Sequence, residues 1–456
     1  MTETETTDCE HRRGHITDSR FFGDRYATNT SRAIFCDLYR IQRWLDVEAD
    51  LAACQAELEM IPGSAADEIA RAAQVERLEI DELPRRIAER NHSLVPLLEL
   101  LEEACRGEAG QWVHYGATTQ DIQDTAQILE MREVLDAVET HLVSLRETLA
   151  TLAQRHRETL MVGRTHGRPA LPTTFGLKVA GWTDELDRHL DRLEGVRERV
   201  LVVQLFGGVG TMAEFSAEGE ELLERFADRL GLAVPRVGWH TVRDRVAEYI
   251  QYLATVSATL ARVIDELRTL SGEGIREVVL GWEPGSINSS TMPHKRNPES
   301  CEQVVVLARL ARQQVGIGLD AVASQEHERD SRGLRLEWAA VADVSHYTLA
   351  ALKLTEKIVD GVDVDVEQMK QRALELSDRI CSEALMLALA EEIGKQKAHR
   401  LVYELSQKAR EEGTTLKELA SGHREIRRVL TEEDLEQIFE PSRHLGRAPE
   451  LVDGVV

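Results

Sequence analysis

The sequence predicts an all-α protein built around a bundle of long helices. Two observations carry this expectation. Aromatic residues make up 5% of the 456-residue chain, while the good helix formers Leu, Ala, Glu and Arg abound. Three stretches, at about 119–158, 173–204 and 240–271, keep a helical apolar period for more than 25 residues with no proline beyond the first turn. Helices of that length build an extended bundle rather than a compact globule.

Each element follows in order. Residues 1–16 are polar and are expected to form a disordered tail. From Arg32 to about Glu59, Ile34, Leu38, Ile41, Leu45 and Ala49 recur at three- and four-residue steps, the spacing of an amphipathic helix. A shorter helical region reaches Arg106, broken at Pro62, Pro84 and Pro96. After the three long stretches, 300–322 is helical again, a polar break spans Ser324–Gly333, and another helix runs from Glu337. Beyond about residue 360, helices separated by GVDVD and EEGTT form a C-terminal unit. The expected division is a tail (1–16), an N-terminal helical domain (17–112), a central long-helix bundle (113–360) and a C-terminal helical domain (361–456). Length alone also suggests about three domains. Several helices are apolar on more than one face, so they need neighbours all round and homo-oligomerisation is expected. GGVGT at 207–211 lacks the βαβ setting and spacing of a dinucleotide-binding turn.

Composition narrows the function. With 80 acidic against 55 basic residues the formal charge is −25, which argues against binding nucleic acid or a membrane surface. Nine lysines stand against 46 arginines, the pattern of a GC-rich genome or of a salt-adapted host. The six cysteines show no C-x-x-C pair and no regular spacing, so neither a disulfide framework nor a zinc site is expected. No apolar run reaches about 18 residues and the N-terminus has no apolar secretion stretch, so a cytoplasmic protein is expected.

One segment is chemically dense. Residues 285–302 read GSINSSTMPHKRNPESCE, with the helical pattern resuming after Pro298. This is the composition of a loop entering a helix N-terminus, where backbone N–H groups, Lys295 and the Asn297 amide can converge on a carboxylate. Ser289 or Ser290 would be a hydroxyl beside positive charge, where its deprotonated form is least costly. Taken alone, such a loop is equally a polar turn capping a helix.

The segment resembles the signature loop of the fumarase/aspartase superfamily, roughly G-S-S-x-M-P-x-K-x-N-P, with Asn288 in place of the first glycine. HYGATTQDIQDTA at 114–126 and GRTHGRPALPTTFG at 163–176 resemble two further regions of that family. FGDRYATNTSRAIFCDLYRIQRWLDVEADLA, WHTVRDRVAEY and QEHERDSRGLRLEW extend the resemblance from about residue 20 to 340, in family order. His166 and the NHSLVPLL around His92 resemble the adenylosuccinate lyase side of one branch. FGLKVAGW, WHTVRDR and QEHERDSRGLRLEW resemble its 3-carboxy-cis,cis-muconate cycloisomerase side.

The resemblance implies an L-aspartase-like fold and a homotetramer with a twenty-helix core and active sites shared between subunits. It implies β-elimination from a substituted succinate, such as adenylosuccinate or another N-substituted aspartate, releasing fumarate or an analogue. The alternative is lactonising cycloisomerisation of carboxymuconate, and the remote alternative is a non-catalytic helical scaffold. Ser289 aligns with the family's base, His166 with its proton donor, and Glu302 with the glutamate that pairs with this histidine. Lys295 and Asn297 look like carboxylate binders, as do Thr118, Thr119 and Gln120, which are also natural helix caps. His92, Arg25, Tyr26 and Arg329 complete the expected substrate contacts, His92 being equally a structural histidine. The expected partner is a small dicarboxylate, with no metal and no organic cofactor required. The largest catalytic contribution would come from donors and cations aimed at the doubly charged carboxylate of the carbanion.

Overall fold

A computed structural model describes residues 14–281, 291–292 and 294–456, except for the side chain of Ser216. Ser289, the expected base, lies outside the described residues. Among the described residues the architecture is all-helical apart from two two-stranded sheets, and these residues form two compact units. The first comprises residues up to His141, His189–Arg262 and Glu302–Leu354; the second comprises Leu142–Arg188, Val263–Cys301 and Thr355–Val456.

The first unit begins with helices α1 (Asn29–Ile34), α2 (Asp37–Glu57), α3 (Gly63–Ala72), α4 (Leu83–Arg90) and α5 (Val95–Ala104). A single helix was expected from Arg32 to Glu59, but the chain breaks at Cys36, which is extended. Thr28 and Ser31 form a capping box that starts α1 separately. The Phe35 ring that ends α1 packs edge-on against His346, 5.4 Å between centroids. The three prolines mark helix starts: Pro62 precedes α3, while Pro84 and Pro96 sit in the first turns of α4 and α5. There a missing N–H costs nothing.

The long helices are α6 (Thr119–Arg155), α7 (Phe175–Val200), α9 (Asp244–Leu270), α10 (Glu299–Ala323) and α11 (Ser331–Asp360), with the shorter α8 (Gly219–Leu230) between the second and third. Four of the five follow the expected stretches to within a few residues. The 37 residues of α6 span roughly 55 Å. The fifth, α11, begins six residues before Glu337, because Asp330 accepts the Arg332 N–H at 2.9 Å and opens the helix early.

Between α6 and α7 lies a β-hairpin, β1 (Leu160–Thr165) with β2 (Arg168–Thr174), where the periodicity reading had no element. The prolines of β2 suit an edge strand, and α7 starts where the Thr174 hydroxyl accepts the Leu177 N–H. The second sheet pairs β3 (Val278–Val279) with β4 (Asp363–Val364), the latter inside the GVDVD segment. Helices α12 (Val366–Glu375), α13 (Ser377–Ile380), α14 (Ser382–Ile393), α15 (Lys395–Glu412), α16 (Leu416–Gly422), α17 (Glu432–Ile438) and α18 (Ala448–Asp453) complete the chain. They close over a core that includes Val162, Ile380, Leu385, Leu389, Val402, Leu416 and Phe439. Among the described residues no helix is long and apolar enough to cross a membrane.

Candidate active site

In the first unit four of the expected site residues, Thr118, Thr119, Gln120 and Arg329, lie where the HYGATT segment feeds α6. Two backbone positions there are left-handed, His114 (φ +59°) and Gly116 (φ +76°). A Cβ at Gly116 would lie 2.6 Å from the Phe215 ring, so only glycine lets the segment lie against that wall. Two side chains of α2 fasten it. Glu48, fully buried, meets His114 Nδ1 at 2.6 Å, and Gln55 Nε2 donates to the Tyr115 carbonyl at 2.6 Å. Burial alone would lower the His114 pKa, but the Glu48 carboxylate overrides it and the net direction is upward.

Asp121 is the hub. Its Oδ2 accepts the Thr118 N–H at 3.1 Å, the backward reach that caps a helix. Its two oxygens also accept the N–H groups of Phe206 (3.1 Å) and Gly207 (3.0 Å), and His240 Nε2 at 2.8 Å. One buried carboxylate thereby fixes both the start of α6 and the glycine-rich turn at 206–208. Arg329 joins the same two segments from outside. It donates to the Thr118 hydroxyl and, through Nη2, to the carbonyls of Gly207 (3.1 Å) and Gly208 (2.5 Å).

Below this lies a wholly buried ionic cluster. The Arg243 guanidinium holds both Asp124 oxygens, at 2.8 and 2.9 Å, and the Glu337 carboxylate. It also stacks 4.9 Å from the Trp239 ring centroid. Burial would lower the arginine pKa, yet the two carboxylates more than offset that and keep it charged. Gln120 donates to Asp124 (3.1 Å) and to the His240 carbonyl (2.8 Å). Its amide therefore belongs to the buried network rather than to the face that Thr118 presents. Charges withdrawn from water to this extent are costly unless paired, and here the guanidinium and the two carboxylates answer one another.

The other first-unit residues stand as follows. His92 Nδ1 accepts the N–H groups of Leu94 and Val95 and so caps α5. The adjacent Ser93 takes a hydrogen bond from Gln123 of α6 at 2.8 Å, which ties that turn to the beginning of α6. Gln303, next to Glu302 in the first turn of α10, donates to the Arg25 carbonyl at 2.8 Å. This joins the Arg25–Tyr26 turn to the Glu302 helix start. Thr119 is half-buried as the first residue of α6, and Glu302 is exposed.

In the second unit His166 is exposed at the tip of the hairpin. Both turn residues are left-handed, His166 at φ +50° and Gly167 at φ +71°, and Thr165 pairs with Arg168 across them. Such a two-residue turn matches the twist of the strands it joins. Two residues before it, Arg164 grips Glu277 with two hydrogen bonds, 2.6 and 2.9 Å. Lys295 is exposed, its N–H donating to the Met292 carbonyl at 3.0 Å, and Asn297 is half-buried before α10.

Sequence reading passed over Asp121, His240, Asp124, Arg243, Glu337 and Glu277. One signal was available. Gln120, Asp121, Gln123, Asp124, Gln127 and Glu130 recur at helical spacing on α6, and all are buried.

The sequence profile of a family described as Lyase matches residues 23–313, and one described as the adenylosuccinate lyase C-terminus matches 378–455. The N-acetyl-S-(2-succino)cysteine lyase of Dickeya dadantii is 38% identical over 97% of each chain. The adenylosuccinate lyase of Methanocaldococcus jannaschii is 36% identical, covering 95% of this chain and 94% of that one. Among solved structures, the 3-carboxy-cis,cis-muconate lactonizing enzyme of Pseudomonas putida superposes with a TM-score of 0.88 at 32% identity, over 96% of this chain and 98% of that one.

Proposed function

This chain belongs to the fumarase/aspartase superfamily of lyases, and we propose that it splits a succinylated thiol, an S-(2-succino)cysteine derivative, into fumarate and the free thiol by β-elimination. The observation that carries this reading is the full-length similarity to the N-acetyl-S-(2-succino)cysteine lyase of D. dadantii. The site chemistry agrees with it. Ser289, proposed as base from its place in the signature motif, takes the proton from the carbon beside one carboxylate. The electron pair passes into that carboxylate, and Lys295 and Asn297 hold the charge. The bond between the neighbouring carbon and sulfur then breaks. His166 protonates the departing thiolate, and Glu302 pairs with that imidazole. Thr118, Thr119 and Arg329, fixed by Asp121, bind the second carboxylate at the start of α6. The working enzyme is proposed to be a cytoplasmic homotetramer with shared sites.

A second reading has its own observation. Ser331 and Arg335 stand one turn apart at the exposed start of α11, a spacing suited to a phosphate and hence to adenylosuccinate. The purified protein should be given N-acetyl-S-(2-succino)cysteine, adenylosuccinate and 3-carboxy-cis,cis-muconate in turn, with fumarate, thiol and alkene loss followed. Equimolar fumarate and thiol support the leading reading. Turnover confined to adenylosuccinate replaces it with the second, and lactone formation makes the protein a cycloisomerase.

A further inference from the structure

We propose that Arg164 and Glu277 are a positioning pair for His166, holding the hairpin so that the imidazole at its tip meets the leaving group. The inference rests on the reading of His166 as proton donor. Neither residue is assigned a contact with substrate, and the mechanism above does not use them.

Glu277 is a fixed platform. Its side chain is 0% exposed. Its N–H donates to the Leu270 carbonyl at 3.0 Å, and its own carbonyl accepts the Asp365 N–H at 3.1 Å. The next two residues form β3, paired with β4. Farther along, an added Cβ at Gly281 would sit 3.1 Å from the Gly361 carbonyl oxygen, so the backbones there are nearly in contact.

Arg164 transmits that fixity to the hairpin. Its guanidinium binds both Glu277 oxygens, and its Nη1 also reaches the Val162 carbonyl at 3.2 Å. The β1–β2 register shifts between Val162 and Arg164, so strand pairing alone does not set the direction of the last residues of β1. Thr165 is paired with Arg168, and the turn between them is confined to two left-handed residues. Once Arg164 is held, the Cα of His166 therefore has little freedom. A forked guanidinium fixes angle as well as distance, which an ammonium does not. Charge balance alone gives no reason for the pair, since a buried ion pair is commonly no more stabilising than apolar side chains of the same volume.

The test uses the full-length protein, with N-acetyl-S-(2-succino)cysteine as the probe substrate. Arg164→Lys keeps a cation beside Glu277 and loses the fork. The double variant Arg164→Met/Glu277→Leu removes both charges together and preserves packing. His166→Asn is the control for the chemistry and identifies the His166 imidazole signal in the NMR spectrum by its loss. Positioning predicts that both variants retain the wild-type circular dichroism and lose at least about tenfold in kcat with KM changed less than about threefold. It also predicts that the His166 signal moves and sharpens at fixed pH. A charge-balancing role predicts wild-type kcat in Arg164→Lys. Wild-type kcat or an unmoved His166 signal in a folded variant overturns the proposal. Full activity in His166→Asn would instead overturn the proton-donor reading. The NMR comparison remains decisive even if the probe is not turned over.

Discussion

The carboxylate of Asp121 accepts His240 Nε2 at 2.8 Å, with both side chains out of reach of solvent. The same carboxylate takes the N–H groups of Thr118, Phe206 and Gly207, so a single charge sets two segments that Arg329 then bridges. Asp121→Asn turns an amide NH2 toward donors that need an acceptor. The expected cost is about 2–4 kcal/mol of stability, measured by urea unfolding. KM for the dicarboxylate should rise at least about tenfold, because the Thr118–Arg329 pair loses its support. An unchanged KM would separate this hub from substrate binding.

Arg243 balances Asp124 and Glu337 inside the first unit. Arg243→Met leaves two buried carboxylates without a counter-charge, and the expected loss is about 3–5 kcal/mol near neutral pH. Burial already raises the Glu337 carboxyl against the pull of Arg243, and without the arginine its protonated form is favoured further. The deficit relative to wild type should therefore shrink as pH falls. Urea midpoints of the two proteins across acidic pH test the sign.

Two histidines predict opposite pH dependences. The folded-state pKa of His114 is raised from 6.5 by Glu48 against the effect of burial. Its contribution is fully present below pH 6.5 and is lost as pH rises through the raised value. His114→Gln should flatten the stability profile on that alkaline side.

His346 is pushed down to about 4 by burial, with His15 and Arg32 adding to the effect and Asp18 opposing it, while Ser31 lies 2.8 Å from its Nδ1. Its neutral ring favours the folded state above pH 6.5, and the advantage disappears as pH falls toward 4. The change amounts to about 3 kcal/mol. His346→Asn should remove that acid-side slope, read from thermal midpoints over the same range.

His166→Asn separates fold from chemistry. Asparagine accepts the left-handed backbone that His166 occupies at φ +50°, so the thermal midpoint should barely move. Turnover should fall by about 10²–10⁴ if the imidazole is the acid. A thiolate can depart without being protonated first, whereas the nitrogen of an N-substituted aspartate must gain a proton as it leaves, because an amide anion is far too basic a leaving group. The loss should accordingly be smaller for a succinylated thiol than for an N-substituted aspartate. Equal losses on both would argue that His166 does not protonate the leaving group.

The sequence by itself determined the helical class and four of the five long helices, because apolar residues at a 3.6-residue period leave few alternatives over more than 25 residues. It also determined the family, through motifs at 114–126, 163–176 and 285–302. What only the tertiary structure decided was how the polar residues are used. The stripe from Gln120 to Glu130 has the composition of a solvated face, yet it is buried, because partners arrive from elsewhere in the chain: His240 and the 206–207 amides for Asp121, Arg243 for Asp124 and Arg40 for Glu130. The hairpin under His166 was equally hidden, since two short strands rich in proline and glycine carry almost no alternation. A partner more than a hundred residues away, Glu277 for Arg164, leaves no mark on local pattern. Periodicity records how a segment meets water or core on average. Which charge answers which is fixed only when distant segments are brought together.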